Sequence, residues 1–402
     1  MDTIIVFSHL RWDFVYQRPQ HLLSRLAKHY RIICLEEPIY REGSADLEVS
    51  EPIPNLLVCK PYTPVKHFGF TDEQMPYLRQ IVQKLDKEYD ISIAWFYTPM
   101  ALPLLEEVDA RRVVYDCMDE LSAFKNPPPQ LIEREKTFLK TADLVFTGGP
   151  SLYEAKKGKN PNVHCFPSSV DANHFRQALD RNIAYPAHED MPKPRLGFYG
   201  VIDERFDPEL VDKLADAHPE WQIVLVGPVV KIDPSILPRR DNIHYMGQQS
   251  YNTLPQFLAS WDVCLMPFAM NESTRFISPT KSLEYMAAEL PIVSTPIKDV
   301  VDLHSDVVEI AADADEFIAA CERMVSLSSD EMRHKIRVMR EKLAETSWDM
   351  TASKMHALLQ SIDAEDLDED ESVEGDAEDL SEELLASANG KIASVPLTAA
   401  QK

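Results

Sequence analysis

The stretch from Ser278 to Pro296 carries side chains suited to binding a charged ligand. Ser278 is a helix-capping residue type and Pro279 suits a first helical turn, so the spacing predicts a helix followed by a buried strand. The first amides of such a helix can hold an anion, and Lys281 adds a full positive charge. Glu284 lies three residues further on, on nearly the same face. One helix end could therefore hold a diphosphate while the carboxylate holds sugar hydroxyls.

Two interpretations of this stretch follow from its residues alone. In the first, it binds a nucleotide-sugar. In the second, it is a well-capped helix with a Lys–Glu pair on its surface, which helices often show. The spacing does not decide between them, so the elements that would position these side chains have to be considered.

Length and composition restrict the class of protein. A chain of 402 residues suggests two or three domains, and its 45% content of hydrophobic residues can build a large core. The sequence contains no run of about 18 apolar residues, the length needed to span a membrane, and we expect no secretory signal. Six scattered cysteines without a C-x-x-C pair favour reduced thiols, so we expect a cytoplasmic protein.

The formal net charge of −25 is unevenly distributed. Residues 361–402 contain thirteen acidic residues and two lysines. An acidic chain repels the phosphates of nucleic acids and anionic lipids, so no nucleic-acid partner is expected, while peripheral membrane association through a local patch stays open. Residues 363–402 are also poor in aromatic residues, and we expect this acidic tail to be disordered.

Strand-like and helix-like runs alternate through most of the chain. Near-continuous apolar strands separated by amphipathic helices are typical of a parallel sheet covered on both faces. The predicted strands are Thr3–Ser8, Arg31–Glu36, Leu56–Lys60, Ile91–Tyr97, Val113–Asp116, Leu144–Thr147, Val163–Pro167, Arg195–Gly200, Gln222–Gly227, Ile243–Gly247, Val263–Phe268, Pro291–Thr295 and Val307–Ala311. The predicted helices are Pro19–Tyr30, Asp72–Tyr89, Gln130–Ala142, Pro208–Ala217, Leu254–Trp261, Pro279–Leu290, Ala314–Leu327, Asp330–Thr346 and Trp348–Ile362.

The alternation pauses over residues 176–194, which contain several prolines and show no clear periodicity. We interpret this segment as a linker between two Rossmann-like domains, residues 1–175 and 195–345. A C-terminal helix over residues 346–362 would pack back on the first domain. Because ligands bind at the carboxyl ends of strands in such sheets, a cleft faced by two sheets suits two substrates.

These features together resemble the GT-B glycosyltransferases that transfer sugars from nucleotide donors with retention. Within that group the chain is similar to bacterial enzymes of cell-surface polysaccharide assembly, including teichuronic acid biosynthesis glycosyltransferases. The resemblance covers residues 3–360 and rests on residues 277–288, Trp12–His21, Tyr115–Asp119, Ser169–Asp171 and Gly197–Gly200. It implies an α/β fold with two tandem Rossmann-like, doubly wound domains that face a cleft.

The resemblance also implies roles for residues of the second domain. Glu284 matches the glutamate that holds the ribose hydroxyls of the donor, and a carboxylate has two acceptor oxygens for a vicinal diol. Arg205 and Lys281 would stabilise charge on the leaving diphosphate, although Arg205 could instead pair with a neighbour such as Asp203. The implied donor-binding residues are Gly200, Arg205, Lys231, Ser278, Thr280, Lys281 and Glu284.

The first domain would bind the acceptor. His9 and Arg11 follow the first predicted strand, and Arg18 could contact an acceptor phosphate or the donor, or stand exposed beside a helix cap. Asp116 and Asp119 follow a buried strand, so both carboxylates can reach the cleft, where one could orient or deprotonate an acceptor hydroxyl. Asp119 could equally cap the segment that follows it.

Two positions depart from the family pattern. Many retaining relatives carry a second glutamate eight positions before the one that Glu284 matches. This chain has Phe276 there, so the usual contact to the donor sugar is missing or moved to Glu272, and retention is not fixed by the pattern. Relatives also usually have glycine after the helix, where Glu289 stands, and we expect a locally altered helix end.

The resemblance implies sugar transfer from a nucleotide-sugar, with UDP the expected nucleotide, to a glycan, lipid-linked or small-molecule acceptor, without a metal or other cofactor. Three alternatives stay open. A nucleotide-sugar epimerase of the same fold would need one sugar substrate, and a non-catalytic partner subunit would bind no nucleotide. A nicotinamide oxidoreductase is disfavoured, because no G-x-G-x-x-G follows any predicted strand.

Overall fold

The first part of the chain forms a nine-stranded, mainly parallel sheet in the computed structural model, which describes residues 1–361. Its strands are β1 (Thr3–Ser8), β2 (Arg31–Glu36), β3 (Ile39–Tyr40), β4 (Asp46–Ile53), β5 (Leu56–Thr63), β6 (Ile91–Phe96), β7 (Arg112–Cys117), β8 (Leu144–Thr147) and β9 (Val163–Cys165). Their order is β3-β5-β2-β1-β6-β7-β8-β9, and β4 pairs with β5 in antiparallel register. The order changes direction between β1 and β6, which opens a crevice at their carboxyl ends.

These strands are apolar because both faces of the sheet are covered by other parts of the protein. Every residue of β1 is buried, and Phe7 stacks on Phe96 of β6 with 4.6 Å between the ring centroids. Phe138 packs against Phe96 from the helical layer, with its ring centroid also at 4.6 Å. The helices of this part are α1 (Arg18–Leu26), α2 (Met75–Tyr89), α3 (Pro129–Thr141) and α4 (Pro150–Lys156).

The second sheet has six strands, all parallel. They are β10 (Arg195–Tyr199), β11 (Gln222–Val226), β12 (Ile243–Tyr245), β13 (Val263–Met266), β14 (Ile292–Ser294) and β15 (Val308–Ile310). Their order, β12-β11-β10-β13-β14-β15, changes direction between β10 and β13. The helices of this part are α5 (Ala172–Arg176), α6 (Pro208–Ala217), α7 (Leu254–Ser260), α8 (Lys281–Ala287), α9 (Lys298–His304), α10 (Ala314–Val325) and α11 (Ser329–Ala344).

The segment between the two sheets contains three short 3-10 turns and packs on the second sheet's core. Tyr185 stacks on Phe257 of α7 at 4.1 Å, and Ala178 is fully buried. By internal contacts, Met1–Thr351 forms one compact unit. The proposed domain boundaries stay predictions.

The α/β fold with two parallel sheets agrees with the sequence analysis. Each of the thirteen predicted strands is present within a few residues, whereas β3, β4, α4, α5 and α9 were not predicted. Residues 348–361 are helical, and the predicted disordered tail, residues 363–402, lies outside the described residues. No helix within residues 1–361 is long and apolar enough to cross a membrane. All six cysteines are free thiols, and five are buried.

A buried ion cluster fixes the loop that follows β7. Lys156 at the end of α4 is 1% exposed, and its ammonium group lies 2.7 Å from Glu120 and 2.8 Å from Glu135. Tyr115 of β7 donates a hydrogen bond to Glu135 at 2.9 Å. The cluster therefore connects α3, α4, β7 and the loop after β7.

Replacing Lys156 by Met would leave Glu120 and Glu135 as buried carboxylates without their cation. Removing one partner of a buried ion pair costs about 3–5 kcal/mol, so the urea midpoint of unfolding should fall clearly below that of the wild type. Lys157→Met is the matched control, because Lys157 is 49% exposed and pairs with Glu154 at the surface. Equal midpoints for Lys156→Met and the wild type would contradict this account of the cluster.

Candidate active site

A cavity of about 210 Å³ lies where the carboxyl ends of the two sheets meet. Its lining from the first part includes Asp119 after β7, Gly148 after β8 and Ser168 after β9. From the second part it includes Gly200 after β10 and Gly227 after β11, together with the start of α8. The cavity therefore occupies the position at which open α/β sheets bind ligands.

The helix that carries Glu284 begins later than predicted. α8 starts at Lys281 with Thr280 as its N-cap residue, and no side chain caps it. The expectation that Ser278 caps this helix is therefore wrong. Ser278 instead lies beside Gly149 of the first part, where an added glycine Cβ would be 2.6 Å from the serine Cβ. Ser278, Thr280 and Lys281 all line the cavity.

Gly200 makes room for the ammonium group of Lys281. This glycine has a φ of +145°, and a Cβ there would lie 2.8 Å from Nζ of Lys281, which is too close. The ammonium group lies over the rings of Phe198 and Phe268, at 5.6 and 5.9 Å from their centroids. Burial lowers the pKa of Lys281, while the nearby Glu284 raises it. A cation held mainly by aromatic faces retains its attraction for an anionic ligand.

Arg205 fits both interpretations offered by the sequence. Its guanidinium donates to both oxygens of Asp203, with Nε–Oδ1 at 3.0 Å and Nη2–Oδ2 at 2.7 Å. It also lines the cavity and lies over the ring of Phe124 from the first part, at 5.4 Å. The ion pair thus holds the guanidinium at the cavity wall without removing it from the site.

Glu284 is buried, with 8% of its surface exposed, and it lines the cavity. The hydroxyl of Tyr199 donates to Oε2 of Glu284 at 2.5 Å. Burial raises the pKa of Glu284, whereas the Tyr199 bond and the charge of Lys281 lower it. Among the described residues no ion pair joins Lys281 to Glu284, so the alternative of a surface Lys–Glu pair is wrong. Tyr199 was not among the predicted site residues. Its position near the end of a predicted strand was the main indication in the sequence that it could reach the site.

The two aspartates after β7 take different positions. Asp119 lines the cavity, and burial raises its pKa against the opposing charges of Arg205 and Arg18. Asp116 is fully buried and accepts from Arg18, with Nη2–Oδ1 at 2.9 Å and Nε–Oδ2 at 3.3 Å. The expectation that Asp116 reaches the cleft is therefore wrong. It holds Arg18, which is 5% exposed rather than a surface residue, at the cavity wall.

Three predicted site residues lie outside the cavity lining. Arg11 forms an ion pair with Glu36 at 3.1 Å and donates to the carbonyl of Glu37. His9 has its pKa lowered to about 4 by burial and by the charge of Lys231. None of the three lines the cavity, and their roles at the acceptor and the diphosphate stay predictions.

The structure also shows the surroundings of the positions that depart from the family pattern. Phe276 packs against the hydrophobic core of the first part. The side chain of Glu272 is 77% exposed and pairs with Arg275, outside the cavity lining, so the suggestion that it replaces the missing carboxylate is wrong. Glu289 adopts the left-handed conformation with φ of +55° and bonds to Arg340 at 2.7 Å. The expected altered helix end is therefore not observed.

Contacts between the first and second parts surround the cavity. The rings of Tyr16 and Tyr251, which both line it, stack at 4.5 Å. Asp299 of α9 accepts a hydrogen bond from the backbone amide of Ser151 at 3.0 Å, although it is only 2% exposed. A Cβ on Gly149 would overlap the carboxylate of Asp299. These contacts leave no local pattern in the sequence, because each joins residues far apart in the chain.

Comparison with known proteins finds one family model and one curated relative that are similar to parts of the chain. Residues 196–326 match the family model described as Glycosyl transferases group 1. A proposed teichuronic acid biosynthesis glycosyltransferase of Bacillus subtilis (strain 168), TuaH, is 26% identical over 265 residues, which are 60% of this chain and 66% of that protein. Over residues 196–326 the chain is therefore similar to the glycosyl transferases of group 1. It spans somewhat less than two thirds of the length of this curated relative.

Solved structures agree with the GT-B fold. Sucrose-phosphate synthase from Thermosynechococcus elongatus superimposes with a TM-score of 0.72 at 16% identity, covering 90% of this chain and 100% of that one. HepE of Anabaena, in complex with UDP and glucose, gives 0.62 at 15% identity, covering 89% and 99%. The match to the family model begins within β10 and ends just after α10, so it includes Gly200, Arg205 and the start of α8, which line the cavity.

Replacing Asp299 by Ala should release the loop that begins α4. The buried amide of Ser151 would lose its acceptor, which costs about 1–3 kcal/mol and should speed amide hydrogen exchange in residues 149–152 by roughly tenfold or more. Asp302→Ala on the same helix is the control, because Asp302 is half-exposed and pairs with Lys298. Unchanged exchange in the Asp299 variant would mean that this contact does not hold the two parts together.

Proposed function

We propose that the chain transfers a sugar from a nucleotide-sugar, with UDP as the nucleotide, to a hydroxyl of a glycan or related acceptor in polysaccharide synthesis. The observation that carries this proposal is the cavity in which Lys281, Arg205 and Glu284 come together opposite Asp119. Cations and a carboxylate that line the same cavity suit a diphosphate ester with a ribose at one end. The similarity of residues 196–326 to the glycosyl transferases of group 1 supports the same assignment.

The leaving group would be stabilised by charge already in place. Lys281 and Arg205 lie at the cavity wall before any ligand binds, so little reorganisation is needed as negative charge grows on the departing diphosphate. Asp203 and the rings of Phe198 and Phe268 hold these cations in position. Glu284 would accept from ribose hydroxyls and set the distance between nucleoside and diphosphate.

The acceptor would enter from the first part of the chain. Asp119 is the carboxylate of that part that lines the cavity beside Arg18, and burial raises its pKa, which makes it a better proton acceptor than an ordinary aspartate. We propose that Asp119 orients or deprotonates the acceptor hydroxyl. In a retaining reaction Asp119 would only orient the hydroxyl, and the leaving phosphate would take its proton on the same face of the sugar. No metal is required in this scheme, because the side-chain cations of Lys281 and Arg205 would stabilise the negative charge on the leaving diphosphate.

UDP is proposed as the nucleotide on the basis of the HepE structure, which holds UDP and glucose. The similarity to TuaH supports an acceptor in cell-surface polysaccharide synthesis. Retention, the donor sugar, a cytoplasmic location and peripheral membrane association stay predictions.

A non-catalytic GT-B partner subunit is a second candidate, favoured by one observation. Phe276 occupies the position of the expected second glutamate and packs into the first core, and Glu272 does not take its place. A chain that binds no nucleotide-sugar in calorimetry would support this candidate over the enzyme.

Replacing Lys281 or Glu284 by Ala should abolish sugar transfer while leaving the fold intact. Loss of one preorganised charged group lowers turnover by about 10²–10³, and loss of Glu284 also removes the ribose contact. UDP release from UDP-sugars, measured with an acceptor mixture, gives the readout, and circular dichroism checks the fold. Lys298→Ala is the control, because Lys298 is exposed and pairs with Asp302. Normal transfer by either variant would refute the site.

Nucleotide-sugars should stabilise the protein against heat. A ligand at 100 times its dissociation constant adds about 2.7 kcal/mol to the free energy of unfolding, which a thermal-shift assay detects easily. We expect UDP-sugars to give the largest shift in a panel with GDP-, dTDP- and ADP-sugars. A larger shift with another nucleotide would correct the donor, and no shift with any of them would contradict the proposed function.

A further inference from the structure

The orientation of Glu284 is set by a residue of the neighbouring strand. Tyr199 is the last residue of β10, and its hydroxyl donates to Oε2 of Glu284 at 2.5 Å. Both residues line the cavity, and Tyr199 is 5% exposed. A short hydrogen bond to a carboxylate in a buried site is strong and restricts the rotation of the carboxylate.

The position of the tyrosine hydroxyl is itself fixed by packing. The ring of Tyr199 meets Tyr285 edge to face at 5.1 Å, and it lies 6.1 Å from Trp261 and 6.3 Å from the parallel ring of Phe175. Its backbone amide donates to the hydroxyl of Tyr285 at 3.3 Å. The hydroxyl therefore has a defined place before any ligand arrives.

We propose that Tyr199 is a positioning residue that occupies Oε2 of Glu284, so that Glu284 presents its other oxygen, Oε1, to one ribose hydroxyl of the nucleotide. The inference rests on the proposed function, since it takes Glu284 as the group that holds the ribose. It also changes the contact expected from the sequence. A carboxylate with two free oxygens can give one oxygen to each hydroxyl of a diol, whereas a carboxylate held by Tyr199 binds through one oxygen.

Two consequences follow for nucleotide recognition. Because one oxygen is presented, one ribose hydroxyl should contribute much more to affinity than the other. The Tyr199 bond also favours the ionised carboxylate, as does Lys281 on the same helix, while Tyr251 faces Glu284 from the turn before α7. Loss of the Tyr199 hydroxyl should raise the pKa of Glu284. As the solution is acidified, a variant without this hydroxyl would then lose its affinity for the nucleotide at a higher pH than the wild type.

The test compares dissociation constants for UDP, 2′-deoxy-UDP and 3′-deoxy-UDP, measured by calorimetry over a range of pH. The wild type should lose about tenfold or more in affinity for one deoxy nucleotide and much less for the other, as expected for one charged hydrogen bond. Tyr199→Phe keeps the ring and its packing. It should bind the two deoxy nucleotides more equally, bind UDP more weakly, and lose affinity at a higher pH than the wild type.

Two further variants separate positioning from a structural effect. In a Glu284→Gln background, Tyr199→Phe should not change the ratio of the two deoxy nucleotides any further, because the tyrosine acts through the carboxylate. Tyr245→Phe removes a hydroxyl that donates to the carbonyl of Pro238 at 3.0 Å and lies outside the cavity lining. It should keep the ratio and the pH profile of the wild type, whatever stability it loses.

The outcomes distinguish this inference from the proposed function. A wild type that binds UDP and discriminates between the deoxy nucleotides, with Tyr199→Phe giving the same ratio and pH profile, would overturn the role of Tyr199 and leave the proposed function in place. Equal affinity of the wild type for both deoxy nucleotides would also overturn it. A wild type that binds none of the three nucleotides would overturn the proposed function and the inference together.

Discussion

Charged side chains are kept away from water at the junction of the two sheets, and the rest of the site depends on how each is compensated. Burial penalises a charge unless a partner or a hydrogen bond is supplied. Arg205 has the carboxylate of Asp203, Glu284 has the hydroxyl of Tyr199, and Lys281 has two aromatic faces. The compensation of Lys281 is the weakest of the three. The cavity therefore retains an attraction for an anion, which a diphosphate would satisfy.

The two parts of Met1–Thr351 meet through contacts that tolerate little change in distance. Gly149 allows the backbone of the first part to approach Ser278 and Asp299, and Asp299 accepts from the amide of Ser151. Tyr16 and Tyr251 stack across the same junction. Such contacts are either formed or lost, because packed surfaces do not deform continuously. They would fix the distance between the donor cations and Asp119, on which a transfer reaction depends.

Residue type was a weak guide to position in the first part of the chain. Asp116 and Asp119 are the same amino acid three positions apart after one strand. Asp116 turns into the protein to hold Arg18, and Asp119 lines the cavity. Arg18, which the sequence allowed to be exposed, is buried by that same pair. Local spacing cannot distinguish the two aspartates, because the partner of Asp116 lies on a helix almost a hundred residues earlier.

Local periodicity was enough to predict the two sheets and most of their helices, since an apolar strand buried on both faces and an amphipathic helix each leave a repeating pattern in neighbouring residues. It missed β4, whose side chains are mostly exposed, and α4, α5 and α9, which have at most seven residues. The motif around Lys281 and Glu284 was also recognisable, because its residues are close together in the chain. The surroundings of these two residues could not be recognised from the sequence. The hydrogen bond from Tyr199, the approach of Gly149 and the exclusion of Asp116 all depend on strand order and on the packing of one sheet's loops against the other's, and these join residues whose separation along the chain leaves no local pattern.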